Sequence, residues 1–100
     1  MSAAPYSPEF NAYRAARDVL NRRMDAASAA LRAIPGIGSG RFGLTPDSVK
    51  FSPEYRRANG EYRAAFNALR ELNGRCVKRF AKELARERAE IRAAMLQERG

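Results

Sequence analysis

The sequence predicts an all-α fold, in which a short helix and a long helix form an antiparallel hairpin across a loop rich in Gly and Pro. Two observations predict it. A phrase of the form aromatic-Ser-Pro-Glu-aromatic occurs over residues 6–10 and again over 51–55. In each copy Ser suits a helix N-cap, Pro the first helical position and Glu the positive end of the helix dipole. Apolar residues then follow each phrase at helical spacing, and no segment alternates as a strand does.

The first helix is expected over residues 8–34. Its apolar or small positions recur three or four residues apart, and Arg17 occupies the one slot that breaks the pattern. These positions are Phe10, Tyr13, Leu20, Met24, Ala27, Leu31 and Ile34. Pro35 and Gly36 end the helix, because the residue before a proline avoids the helical conformation and Gly accepts the backbone angles that follow.

A connecting loop is expected over residues 35–52, where Gly and Pro are too frequent for a strand or a long helix. Within it, residues 45–47 suit the start of one short helical turn. The apolar residues of the loop are expected to fold back over the end of the hairpin; they are Ile37, Phe42, Leu44 and Val49. Residues 38–43 match the glycine pattern of dinucleotide-binding loops, but no strand precedes them, so no cofactor is predicted.

The second helix is expected over residues 53–97, because its apolar positions keep one phase of about 100° per residue along the whole segment. Gly60 and Gly74 each weaken it by roughly 1 kcal/mol relative to Ala, and Gly74 is the expected kink. The alternative is a break at Asn73-Gly74, which gives a three-helix bundle.

The unequal lengths of the two helices leave part of the second one uncovered. If Ile34 lies near Tyr55, the first helix returns to bring Phe10 near Phe80. The same register places Arg17 beside Asn73. The two residues either form a polar pair between the apolar rows of the two helices, or they lie at the edges of those rows with both side chains in water. Leu84, Ile91 and Met95 project beyond the first helix, and an uncovered apolar stripe favours a partner protein or a second copy of the chain.

Composition indicates one domain over residues 1–100, with 45% apolar and 30% charged residues. The formal net charge of +8 and the pI of about 10.6 favour a nucleic acid, an anionic membrane or an acidic protein surface as the partner. The single cysteine, Cys76, gives neither a disulfide nor a metal-binding spacing. Cytoplasmic residence is therefore expected, with no membrane partner. Membrane insertion is not predicted, since no apolar stretch approaches the roughly 20 residues that are needed to span a bilayer.

A strip of cations on the second helix is the candidate nucleic-acid contact. Its members recur three or four residues apart, within roughly 60° of the helix surface, with Lys78 alongside. The strip consists of Arg75, Arg79, Lys82 and Arg86, together with Lys78. Cations at helical pitch can follow a phosphate backbone. Nearby glutamates, among them Glu83, Glu87 and Glu90, favour the alternative that this is simply a solvated face.

Catalysis is not predicted, and the protein is expected not to be an enzyme. There is no His, so acid–base chemistry near neutral pH would need a strongly shifted carboxylate, Lys or Cys, and a helical hairpin offers little concave volume to shift one. A metal site is not predicted either, because there is no His and no second Cys.

The alternative to nucleic-acid binding is a protein-interaction role. The candidate interface combines residues of the connecting loop with the projecting end of the second helix. These residues are Arg41, Phe42, Leu84, Ile91 and Met95. A second copy of the chain is a further candidate partner for the projecting end.

The segments 52–55 and 64–80 resemble short, uncharacterised helical proteins encoded by phages and mobile elements of Gram-negative bacteria. The resemblance covers about a third of the chain. It implies a setting in which small proteins bind and inhibit or redirect a host protein or defence complex. The sequence thus predicts a small, basic, helical, non-catalytic binding protein that contacts nucleic acid or a nucleoprotein; the alternative is a phage-type inhibitor that docks on a host protein.

Overall fold

The computed structural model describes residues 4–99 of the chain, and the ends of the domain predicted over 1–100 lie outside the described residues. The elements in order are α1 (Pro8–Ala33), a 3-10 turn (Arg41–Gly43), α2 (Asp47–Lys50), α3 (Pro53–Cys76) and α4 (Ala81–Arg99). The described residues contain no strand, and α1 packs antiparallel along α3. The predicted fold class, an all-α helical hairpin, is confirmed.

Both copies of the repeated phrase start a helix in the way the sequence predicts. Ser7 caps α1 by accepting a hydrogen bond from the backbone N–H of Phe10 at 3.1 Å. Ser52 caps α3 in the same way, accepting from the N–H of Tyr55 at 3.2 Å. The first helix therefore begins at the predicted residue and ends one residue early, at Ala33.

Small residues form the contact between α1 and α3. Ala27 on α1 and Ala58 and Ala65 on α3 are all buried, with 2% to 5% of their surface exposed. Alanines let two helix backbones approach closely but bury little apolar area each. The large buried side chains lie instead at the end of the hairpin where the aromatic residues cluster.

An aromatic cluster at the N-terminal end of α1 forms the core. Phe10 is fully buried, and its ring centroid lies 5.5 Å from that of Phe80 and 5.9 Å from that of Tyr13. Such separations suit favourable aromatic pairing. Leu72, Cys76, Leu84 and Tyr6 pack around the cluster. The predicted approach of Phe10 to Phe80 is confirmed.

The prediction of one uninterrupted helix over 53–97 is wrong. A turn over residues 77–80 separates α3 from α4. The backbone N–H groups of Val77 and Phe80 still bond to the carbonyls four residues earlier, but in the described chain Lys78 and Arg79 make no such bond. The apolar phase passes through the turn because the backbone there stays close to helical, so periodicity cannot detect the interruption.

The alternative break at Asn73-Gly74 is also wrong, because α3 continues through both residues to Cys76. The interruption lies one turn later, where Phe80 enters the aromatic cluster. Arg17 does not pair with Asn73. The hydroxyl of Tyr13 donates to Oδ1 of Asn73 at 2.7 Å instead, and Arg17 binds a carboxylate of α4.

Only part of the loop folds back on the hairpin. Ile37 and Val49 are half-buried as expected, and the predicted short turn is present as α2. Phe42 and Leu44, however, are 89% and 65% exposed, so their expected burial is wrong. Gly36 allows Val49 to pack closely against the start of the loop. Its φ is +89°, and a Cβ there would lie 2.8 Å from a methyl carbon of Val49.

Substitution of Phe10 tests whether the aromatic cluster forms the core of the protein. Phe10→Ala should lower the free energy of unfolding by about 3–5 kcal/mol, because it removes a buried ring that contacts Tyr6, Tyr13 and Phe80 together. Urea unfolding followed by circular dichroism measures the change. Phe42→Ala is the matched control and should change stability by less than about 0.5 kcal/mol. A decrease below about 1 kcal/mol for Phe10→Ala would contradict the assignment of the core to this cluster.

Candidate nucleic-acid interface

The turn between α3 and α4 divides the predicted cation strip. Arg75 lies on α3, Lys78 and Arg79 lie in the turn, and Lys82 and Arg86 lie on α4. Arg75, Lys78, Arg79 and Lys82 are exposed. Arg75 lines the groove between α1 and α3 together with Glu71. The five cations therefore do not form one straight row on one helix.

Arg86 is held by contacts within the protein. Its Nε lies 3.1 Å from Oε1 of Glu90, its guanidinium carbon lies 4.2 Å from the centroid of the Tyr6 ring, and Nη2 donates to the carbonyl of Ala4. Two of its five N–H donors are thereby used within the protein, and Glu90 pairs with its charge. Arg86 is thus a poor candidate for a phosphate contact.

Three glutamates of α4 bind the N-terminal part of α1. Glu83 accepts hydrogen bonds from the backbone N–H and the hydroxyl of Ser7, both at 3.0 Å. Its negative charge thereby lies at the positive end of the α1 dipole. Glu90 accepts from the hydroxyl of Tyr6 at 2.7 Å, and this bond, with those from Arg86, lowers the pKa of the Glu90 carboxyl.

Glu87 is the buried member of this set. Arg17 donates to both of its carboxylate oxygens, at 2.9 and 2.8 Å, and Nε of Arg14 lies 3.0 Å from Oε2. Hydrogen bonds from Arg17 are the largest cause that lowers the pKa of Glu87 below its ordinary value, and burial opposes them. Of the glutamates expected to neutralise the cation strip, Glu83 and Glu87 instead bind α1 and its N-cap, and Glu90 pairs with Arg86 of the strip.

A second row of cations lies on the outer face of α3, which we define as the side turned away from the α1–α3 groove. Arg56, Arg63 and Arg70 are all exposed and lie seven residues apart. Seven residues rotate only about 20° short of two turns and advance about 10.5 Å, so the three side chains share one face. Among residues 4–99, none of the three makes an ion pair.

Two of the three carboxylates of α3, those of Glu54 and Glu61, lie toward the α1–α3 groove, whereas Glu71 is exposed about 100° around the helix from Arg70. Glu54 and Glu61 line a cavity between the loop end of α1 and α3, and Glu71 lines the groove nearer the aromatic cluster. These are all the acidic residues of α3. Only Glu71 lies next to the arginine row, so carboxylates of the same helix leave the positive charge around Arg56 and Arg63 undiluted.

An exposed aromatic ring lies within the outer face. Phe66 follows Arg63 by three residues and precedes Arg70 by four, so it lies between them on the helix surface. It is 45% exposed. Its ring stacks on that of Tyr62, with centroids 6.4 Å apart and an interplanar angle of 12°. Sequence reasoning missed Arg63 and Arg70, although their seven-residue spacing from Arg56 was the available signal.

The predicted protein-interface residues lie at opposite ends of the molecule. Arg41 and Phe42 are in the loop that joins α1 to α3, whereas Ile91 and Met95 are near the end of α4. Ile91 is 51% and Met95 61% exposed, as expected of a projecting end. Leu84 does not project, because it packs against the aromatic cluster. These residues cannot form one continuous surface.

Within residues 4–99 no group of three or more Cys, Asp or Glu side chains is placed to hold a metal ion. Cys76 is half-buried beside the aromatic cluster. In the same part of the chain, no helix has the length and apolarity needed to cross a membrane.

Comparisons of the chain with protein-family models, with curated proteins and with solved structures found no match.

Glu87 gives the fold a pH dependence of known sign. The pKa of Glu87 is lower in the folded state than in the unfolded chain, where it has its ordinary value of 4.5. The ion pairs of Glu87 therefore stabilise the fold at pH values above 4.5, and this contribution is lost as the pH falls through the pKa of the folded state. Glu87→Gln should lower the free energy of unfolding by roughly 1.5–3 kcal/mol at pH 7. At pH 3 the difference in this free energy between the variant and the wild type should be smaller. Urea unfolding at the two pH values measures it. An equal difference at both would contradict the assignment.

Proposed function

We propose that the protein binds nucleic acid through the outer face of α3, with Arg56, Arg63 and Arg70 contacting phosphates. The row of three exposed arginines, none of which makes an ion pair among the described residues, is the observation that carries the proposal. Arginine guanidinium groups bind phosphate oxygens in a bidentate manner, and each contact releases counterions from the nucleic acid.

The distribution of charge supports the same surface. The net charge of +8 attracts polyanions from any direction, so the local pattern decides where they bind. On the cation strip of α3 and α4, Arg86 is occupied and Arg75 lies beside Glu71. Lys78, Arg79 and Lys82 stay exposed just past the end of α3, where they can extend the contact beyond Arg70.

Phe66 adds a second kind of contact. A partly exposed ring between two arginines suits stacking on an unpaired base while the arginines hold the flanking phosphates. Duplex nucleic acid keeps its bases stacked, so it would use the arginines alone. Removal of the Phe66 ring should therefore weaken binding to single strands more than binding to duplexes.

One observation favours the alternative function, docking on a host protein. Phe42 is 89% exposed at a φ of +59°, and a bulky side chain is rarely held in this left-handed conformation. The guanidinium of Arg41 lies 5.6 Å from the ring centroid. An exposed aromatic beside an arginine has the composition of an interface anchor.

Charge reversal tests the proposed surface. The double variant Arg63→Glu with Arg70→Glu should lose binding to short single-stranded and duplex DNA and RNA at low salt, measured by fluorescence anisotropy. Arg22→Glu with Arg32→Glu is the matched control, since it makes the same change in net charge at positions of α1; it should retain most of the affinity. Equal decreases in affinity for the two variants would mean that net charge alone drives binding.

The salt dependence of binding gives the number of phosphates that the protein neutralises. Removing one arginine–phosphate pair should reduce the slope of log affinity against log salt by about 0.7 for a single strand and about 0.9 for a duplex. Arg63→Gln and Arg70→Gln, tested singly, should each show this change. An unchanged slope would exclude that arginine from the interface.

The loop variant separates the two candidate functions. If the protein docks on a host protein, Phe42→Asp should abolish capture of that protein from a Gram-negative bacterial lysate, and the Arg63→Glu, Arg70→Glu variant should still capture it. If nucleic acid is the partner, Phe42→Asp should bind oligonucleotides nearly as well as the wild type, because the loop is remote from the middle of α3.

A further inference from the structure

The end of α4 carries an apolar face that α1 does not cover. Ile91 and Met95 are four residues apart on one side of the helix and more than half of each is exposed. Arg88 precedes them and Glu98 follows them on the same side, at spacings of three residues. This four-residue set, here called the tail seam, has the three-and-four spacing of a helix that pairs with another helix.

We propose that the tail seam binds the tail seam of a second copy of this chain, with the two helices antiparallel. The order of the four residues is the reason. When two such helices run in opposite directions about a centre at residue 93, Ile91 of each copy lies opposite Met95 of the other. Arg88 then lies opposite Glu98 at both ends of the contact, so two apolar pairs are flanked by two pairs of opposite charge.

A parallel arrangement lacks this complementarity. It places Arg88 beside Arg88 and Glu98 beside Glu98, and like charges across an interface are unfavourable. Glu87 would be the one acidic residue able to pair with Arg92 across a parallel contact, but Arg14 and Arg17 already occupy it. The antiparallel contact brings the two copies of Arg92 near each other at its exposed edge, where salt screens the repulsion.

The contact is small. About three turns of helix from each chain take part, which places it at the low end of protein interfaces. The dimer is therefore expected to form reversibly and with a strong dependence on concentration. Dimerisation would join two α3 outer faces in one particle, although it does not depend on what those faces bind.

Oxidative cross-linking tests the register directly. In a Cys76→Ala background, a mixture of the Ile91→Cys variant and the Met95→Cys variant should form a disulfide-linked dimer faster than either variant alone. Faster cross-linking of Ile91→Cys with itself would mean a parallel arrangement and would overturn the proposal. The absence of cross-linked dimer in the mixture at high protein concentration would overturn it as well.

Exchange of the charges at positions 88 and 98 tests the pairing of Arg88 with Glu98 across the dimer contact, without an introduced cysteine. In sedimentation velocity, Arg88→Glu should weaken dimerisation roughly tenfold or more, and adding Glu98→Arg to the same chain should restore it.

Met95→Asp should abolish association, whereas Leu96→Asp should not. Met95 and Leu96 are both 61% exposed, but they lie about 100° apart around the helix, so Leu96 is a matched control. Equal effects of the two changes would contradict the proposed face.

Discussion

The docking of α4 against the N-terminal part of α1 is the interaction on which the rest of the molecule depends. Phe80 enters the aromatic cluster beside Phe10 and Tyr13, and the carboxylate of Glu87 binds Arg14 and Arg17 next to it. The hairpin seam itself is rich in alanine and buries little large apolar surface. The cluster and its charged edge therefore determine where α4 leaves the hairpin and which side chains stay exposed.

This docking also decides which charges remain available to a partner. Glu83, Glu87 and Glu90 satisfy groups of α1 and its N-terminal flank, and Arg86 is drawn into the same network through Glu90 and Tyr6. Along α4, acids and bases alternate in sequence, and the carboxylate of Glu87 becomes buried against α1 while Glu90 and Glu98 stay exposed. The outer face of α3 takes no part in the network, and of its three arginines only Arg56 contacts an aromatic ring, that of Phe51 at 5.8 Å.

Much of the fold was predictable because its signals are local. The two Ser-Pro-Glu phrases define the starts of α1 and α3, and Pro35 with Gly36 ends α1 within one residue of the predicted position. The turn before Ala81 was not predictable from periodicity, since Val77 and Phe80 keep their helical backbone bonds and the apolar positions on either side of the turn stay in phase. The occupation of Arg86 and the approach of Arg17 to Glu87 depend on long-range docking, which spacing along one helix cannot reveal. Arg63 and Arg70 became candidates only when the positions of the α3 glutamates were known.

The measurement that tests the central claim most directly is a backbone-amide NMR titration of the protein with a short single-stranded oligonucleotide and with a duplex, at low salt. Binding through the outer face of α3 predicts that chemical-shift changes concentrate between Arg56 and Arg70 and diminish as salt is added. Changes confined to Arg79 and Lys82, or to the loop around Phe42, would contradict the claim. So would a spectrum that does not change at any nucleic-acid concentration.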